Sequence, residues 1–224
     1  MSRARDRADG DFAGKELIFD ADGDTSITAD TDDQIDIKVA GSDQIKIAAG
    51  EVAFNEASGD IDFRVKSNND ANKFVVDGGN DQVLFGTTAS RVMYGVTPST
   101  FIEGLDYNTS SLGIVTNRND GAGGFLFFGK SKGTSLGSST SVSSGDDLGS
   151  IVWTAADGTD MNSVSAMITG GIDTTPGSND VPGNIKFSTA SDGASNASVR
   201  MKINSSGDLH ILDGDIVFEG SGNG

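Results

Sequence analysis

Gly124-Phe125-Leu126-Phe127-Phe128-Gly129-Lys130-Ser131 fits the phosphate-binding pattern G-x-x-x-x-G-K-[ST] at every fixed position. Such a loop works by wrapping its backbone amides around a nucleotide and then opening a helix whose N-terminus faces the phosphates. Here four bulky apolar residues lead into Lys132-Gly133-Thr134-Ser135-Leu136-Gly137, which predicts a strand and a flexible loop. The nucleotide reading fails on that context. Gly133-Thr134-Ser135-Leu136-Gly137 also fits the nucleophile elbow G-x-S-x-G, which needs a strand before it, a helix after it and a histidine base. Ser138-Ser139-Thr140-Ser141-Val142 is a poor helix, and His210, the one histidine, occupies an alternating position in a terminal strand. A Ser/Gly loop and a solvent-facing or interface histidine are the readings adopted.

Metal chemistry is suggested twice. Asp20-Ala21-Asp22-Gly23-Asp24 begins like a calcium loop, but the required Gly and closing Glu are missing at their offsets. Gly78-Gly79-Asn80-Asp81 resembles one imperfect copy of a calcium-binding β-roll repeat. Turns rich in Asp and Asn form for conformational reasons alone. A carboxylate pair for glycoside hydrolysis is set by spatial separation, so the sequence selects no pair from so many. No catalytic, cofactor-binding or metal-ligating residue is assigned, no cofactor is expected, and the chain is read as non-enzymatic.

The elements that carry these residues are short strands. Asp33-Gln34-Ile35-Asp36-Ile37 is echoed by Asp43-Gln44-Ile45-Lys46-Ile47, then by Gly59-Asp60-Ile61-Asp62-Phe63 and Asp81-Gln82-Val83-Leu84-Phe85. Alternation such as Ile35, Ile37, Val39 predicts one face turned inward and the other in water. Each unit is too short to bury its apolar face alone. Neighbours must therefore stack, either along one chain as a solenoid or between chains around a common axis.

Four regions follow. Residues 1–14 form an N-terminal segment with Arg3, Arg5 and Arg7; 15–90 a repetitive β stalk; 91–206 a β domain with long Ser/Gly loops; 207–224 a terminal β segment with a frayed end. The fold class is all-β: an elongated fibre of short strands, β-helix-like or interlaced among three chains, with a more globular β domain in the C-terminal half.

Composition agrees. The 224 residues include 31 Gly, only three Pro, no Cys and 35% hydrophobic residues, too little apolar material for an ordinary compact core. A formal charge of −17 excludes nucleic acid as a partner, because phosphate binding needs clustered Lys and Arg. Membrane insertion is not expected, since no stretch nears the roughly 20 apolar residues of a spanning helix. The sequence does not open on an apolar secretory segment, so the mature chain is expected to begin at or near Met1.

Lys15 to Asp20 running into Thr28 to Ile37 resembles the opening of tail-fibre-like virion structural proteins of marine tailed bacteriophages. Phe54 to Thr87, Gly129 to Asp160, and Arg200 to Gly207 resemble further modules of the same proteins. The resemblance implies a homotrimeric structural subunit of the virion, a tail fibre or related appendage involved in host attachment, assembled in the host cytoplasm. Its N-terminal segment would hold other virion proteins, and loops within Tyr107 to Ala197 would face a host surface glycan or protein. A polysaccharide-degrading tailspike and a capsid fibre or adaptor are the alternatives. Many such fibres continue into a self-cleaving chaperone domain; with Gly224 as the last residue, either that domain was removed or the subunit trimerises unaided.

Overall fold

The computed structural model describes residues 16–29, 31–212 and 214–217. The segment 1–14, expected to act as an anchor, lies outside them, as does the expected frayed end at 220–224. Every regular element among the described residues is a strand. The all-β expectation holds.

The chain divides into two compact units, Met1–Ser90 with Pro98–Ser111, and Arg91–Thr97 with Leu112–Gly224. In the first unit, β1 (Leu17–Ile18), β2 (Ser26–Thr28), β3 (Gln34–Val39), β4 (Ser42–Ala48) and β5 (Glu51–Phe54) form an antiparallel meander in chain order. A second sheet follows in β6 (Phe63–Val65), β7 (Phe74–Asp77), β8 (Gln82–Phe85) and β9 (Thr100–Ile102), the last pair parallel. Because β9 adds to β8, Pro98–Ser111 goes with the first unit and not with the chain around it.

The second unit is built on β10 (Asp147–Ala155), β11 (Ser163–Ile172), β12 (Gly183–Thr189), β13 (Ser198–Ile203) and β14 (Leu209–Ile211), again an antiparallel meander. Leu209–Ile211, set apart in sequence as a terminal segment, is thus the fifth strand of this sheet. Arg91–Thr97 joins the unit through a bridge from Met93 to Met161 and a bond from the Gly95 amide to Asn162 Oδ1, 3.0 Å long.

Tight turns explain the short strands. Asp33 and Asp81, the first residues of two repeat copies, have left-handed φ of 59° and 55°, a conformation Asp tolerates better than most residues. Asp43, in the matching place of another copy, sits in β4 opposite Lys38, where the register shifts. In the remaining copy only Phe63 belongs to a strand. The repeat is therefore a pattern of apolar spacing and not of identical backbone.

Among the described residues, buried apolar side chains are few: Val75, Leu84, Val164 and Ile172. In β3 the expected polarity is reversed within the single chain. Asp36 is 6% exposed, while Ile35 and Val39 are 42% and 47% exposed. Alternation defines two faces but not which one the rest of the chain covers. The covered face here is polar and carries its own bonds: Gln34 Nε2 donates to Asp36 at 2.7 Å, Ser26 donates to Glu16, and Lys46 sits 2.8 Å from Glu51 and 2.5 Å from Glu56, while buried Asp43 Oδ1 has only Lys38 near it, at 3.9 Å. Hydrogen bonding to Glu51, then to Glu56, raises the Lys46 pKa.

Candidate functional site

Each residue that matches a catalytic pattern has local partners of its own. Gly124–Ser131 has no regular structure and leads into a turn closed by Ser138 N to Ser135 O at 3.2 Å; no helix follows. Lys130 lies 3.5 Å from Asp146 and Lys132 3.2 Å from the same carboxylate. The backbone amide of Ser143 is the first cause that lowers the Asp146 pKa, with the two lysines behind it. His210 lies on β14, exposed, with Nε2 3.1 Å from Asn204 Nδ2. Among the described residues no hydrogen bond joins Ser135 to His210.

Asp20, Asp22 and Asp24 place carboxylate oxygens within 4.8 Å of one another. The turn has a local cause: Asp20 Oδ1 accepts from the amides of Gly23 (3.1 Å) and Thr25 (3.3 Å), and Gly23 is left-handed. Desolvation, then the Asp22 charge, raises the Asp24 pKa, whereas the Thr25 hydroxyl lowers that of Asp20. The β7–β8 turn is likewise self-contained. Asp77 accepts from the Gly79 and Asn80 amides and from Asn80 Nδ2, all at 2.9–3.1 Å. A Cβ on Gly78 would come 2.7 Å from the Ile61 carbonyl, so close packing requires that glycine.

What the fold does assemble is an apolar face. Strand register places Leu17, Ile27, Ile37, Ile45 and Phe54 side by side, one from each strand of the first sheet. Residues paired in this way lie on one face. Ring contacts carry the row onward: Phe54 to Phe63 at 4.7 Å between centroids, Phe63 to Phe74 at 6.3 Å, Phe74 to Phe85 at 5.4 Å. Eight strands thus contribute one apolar residue each to a continuous row. Ile35, Ile47 and Val52 form a parallel row on the same face. This face is only partly covered: Leu17, Ile27, Phe54, Ile35, Ile47 and Val52 are exposed, and Ile37, Ile45, Phe63, Phe74 and Phe85 are half-buried.

The second unit repeats the arrangement. Ile151, Ile168, Phe187, Met201 and Ile211 are successive register partners across β10 to β14. Ile151, Trp153 and Ile211 are exposed, while the opposite face carries Ser150, Thr169, Lys186, Lys202 and His210. Thr169 on that polar face is buried and shares a 2.9 Å hydrogen bond with Ser150. Sequence reading singled out local alternation and missed the rows. Their trace was apolar residues spaced eight to eleven apart at 17, 27, 37, 45, 54, 63, 74 and 85.

Two solved structures are similar to this all-β chain in fold. The carboxy-terminal domain of the bacteriophage T5 L-shaped tail fibre is similar, with a TM-score of 0.50 and 14% identity over 68% of this chain and 63% of that one. The same fibre's carboxy-terminal domain with its intramolecular chaperone domain gives a TM-score of 0.50 and 12% identity, covering 92% of this chain and 50% of that one. What is shared is the fold. The chain spans about two thirds and one half of the lengths of these two structures. No family model matches the sequence, and no curated protein matches it.

Proposed function

We propose that the chain is a homotrimeric, non-enzymatic structural subunit of a tailed bacteriophage particle, a tail fibre or related appendage that takes part in host attachment. The observation that carries this reading is the eight-residue apolar row from Leu17 to Phe85, only partly covered in a single chain whose fold is like that of a phage tail-fibre domain. The apolar area still exposed along such a row is unfavourable in water, and copies meeting row to row remove it. Three is the number that the resemblance to tail-fibre-like proteins implies.

The formal charge of −17 suits the outside of such an assembly, where it limits unwanted sticking. Attachment to other virion proteins through Arg3, Arg5 and Arg7, and contact with a host glycan or protein, belong to the same reading. Light scattering on the purified chain should give three times the monomer mass, and an unboiled detergent gel should show a slow band that collapses on heating. A monomer at micromolar concentration would remove the basis of the proposal. Deleting Ser2 to Gly14 should spare the oligomer and abolish its incorporation into particles.

A further inference from the structure

We infer that residues 112–130 form an arm that pairs with a second copy of this chain. The inference rests on the oligomeric reading above but on a different part of the molecule. Among the described residues, the backbone groups of 112–117 and 123–130 have no hydrogen-bond partner in the chain, although strands surround them in sequence. On this exposed segment water satisfies the backbone amides and carbonyls in the single chain, and a paired strand can replace that water in series while covering the apolar side chains.

The arm has a definite form. Its two limbs lie against each other, with Gly124 placed so that a Cβ would come 2.9 Å from Ile114 Cγ2 and 3.2 Å from Thr116 Oγ1. Arg118 and Asp120 pair at 2.5 Å across the tip, where Asp120 Oδ1 also accepts from the Ala122 amide at 3.0 Å. At the root, Phe128 packs on Gly149, and Lys130 and Lys132 hold Asp146. Phe125 and Phe127 stack at 5.3 Å, the same-side placement expected of an extended strand.

Its surface selects the occupant. Leu112, Ile114, Val115, Phe125, Leu126 and Phe127 are 53–83% exposed. At about 150–250 Å² for a large side chain, they offer on the order of 700 Å², close to one partner's share of a standard interface. From Tyr107 to Gly129 the only charged residues are Arg118 and Asp120, which neutralise each other. Two copies carrying −17 each repel through most of their surface, so contact between them favours a neutral stretch.

The test uses the full chain with a photoreactive benzoylphenylalanine in place of Phe127, tagged and untagged copies being co-expressed. Light should yield tagged–untagged adducts. In the unmodified oligomer, amide exchange at Ile114, Val115 and Phe125–Phe127 should be slowed at least about 100-fold relative to unpaired amides. An oligomer by light scattering whose Phe127 adducts stay within one chain, with fast exchange in the arm, would overturn the inference and leave the oligomeric reading intact. Adducts formed only with an added host-envelope fraction would also overturn it, by making the arm a receptor contact. A monomer would remove both.

Discussion

Phe54 and Phe63 lie 4.7 Å apart between ring centroids, tilted at 45°, although they belong to two different hydrogen-bonded sheets. No backbone ladder joins β5 to β6, so this contact continues the apolar row across the break. Phe63→Ala should lower unfolding stability by about 2–3 kcal/mol, below the full cost of a buried Phe truncation because Phe63 is half-buried. Phe63→Leu should restore most of it. Denaturant melts of the oligomer measure both, and a loss below about 0.5 kcal/mol in the Ala variant would show that the row does not hold the first unit together.

Two glycines on neighbouring strands should answer differently to the same change. A Cβ at Gly149 would stand 2.7 Å from Phe128 Cγ, whereas one at Gly170, its register partner, meets nothing within 4 Å. Gly149→Ala should cost about 1–3 kcal/mol by forcing Phe128 off the sheet. Gly170→Ala should be neutral or slightly stabilising, since Ala restricts the unfolded chain more than Gly. Thermal melts of the two variants decide the point; equal effects would contradict the packing of Phe128 on Gly149.

Asp173 ties the last strands together. Its carboxylate accepts from Lys202, from the Ser205 amide at 3.0 Å and from the Ser205 hydroxyl at 2.8 Å, and these bonds, that from Lys202 first, hold its pKa far below the ordinary 3.8. A depressed folded pKa stabilises the folded state at pH values above the unfolded pKa. That contribution shrinks as pH falls through about 4 and is gone once the folded carboxyl protonates. The stability difference between the native chain and Asp173→Asn should therefore be largest at pH 6–7 and close progressively below pH 4. A difference that widens on acidification would have the wrong sign.

Lys130→Ala and Ser135→Ala should leave assembly and melting temperature essentially unchanged. Lys130 is one of two lysines on Asp146, and Ser135 lies in an exposed turn. With Lys130 removed, Lys132 at 3.2 Å and the Ser143 amide still partner the Asp146 carboxylate. Nucleotide hydrolysis or ester turnover in the native chain that disappears in either variant would refute the non-enzymatic reading.

The sequence by itself determined the all-β class, because alternation of period two, abundant Gly and Asp turns and scarce Pro leave no other regular structure for segments this short. It also determined that the phosphate-loop and elbow patterns lack their context, since helix propensity after Ser131 and Ser135 is a local property. Only the tertiary structure decided which face of each strand is covered. Ile35 and Asp36 alternate identically in either orientation, and their burial depends on register with β2 and β4 and on the bonds available to Gln34 and Lys46. The same holds for the row that ends in Phe54, Phe63, Phe74 and Phe85. Its members are eight to eleven residues apart, a spacing set by turn lengths that no local rule fixes, and they become one surface only when the ladders align them.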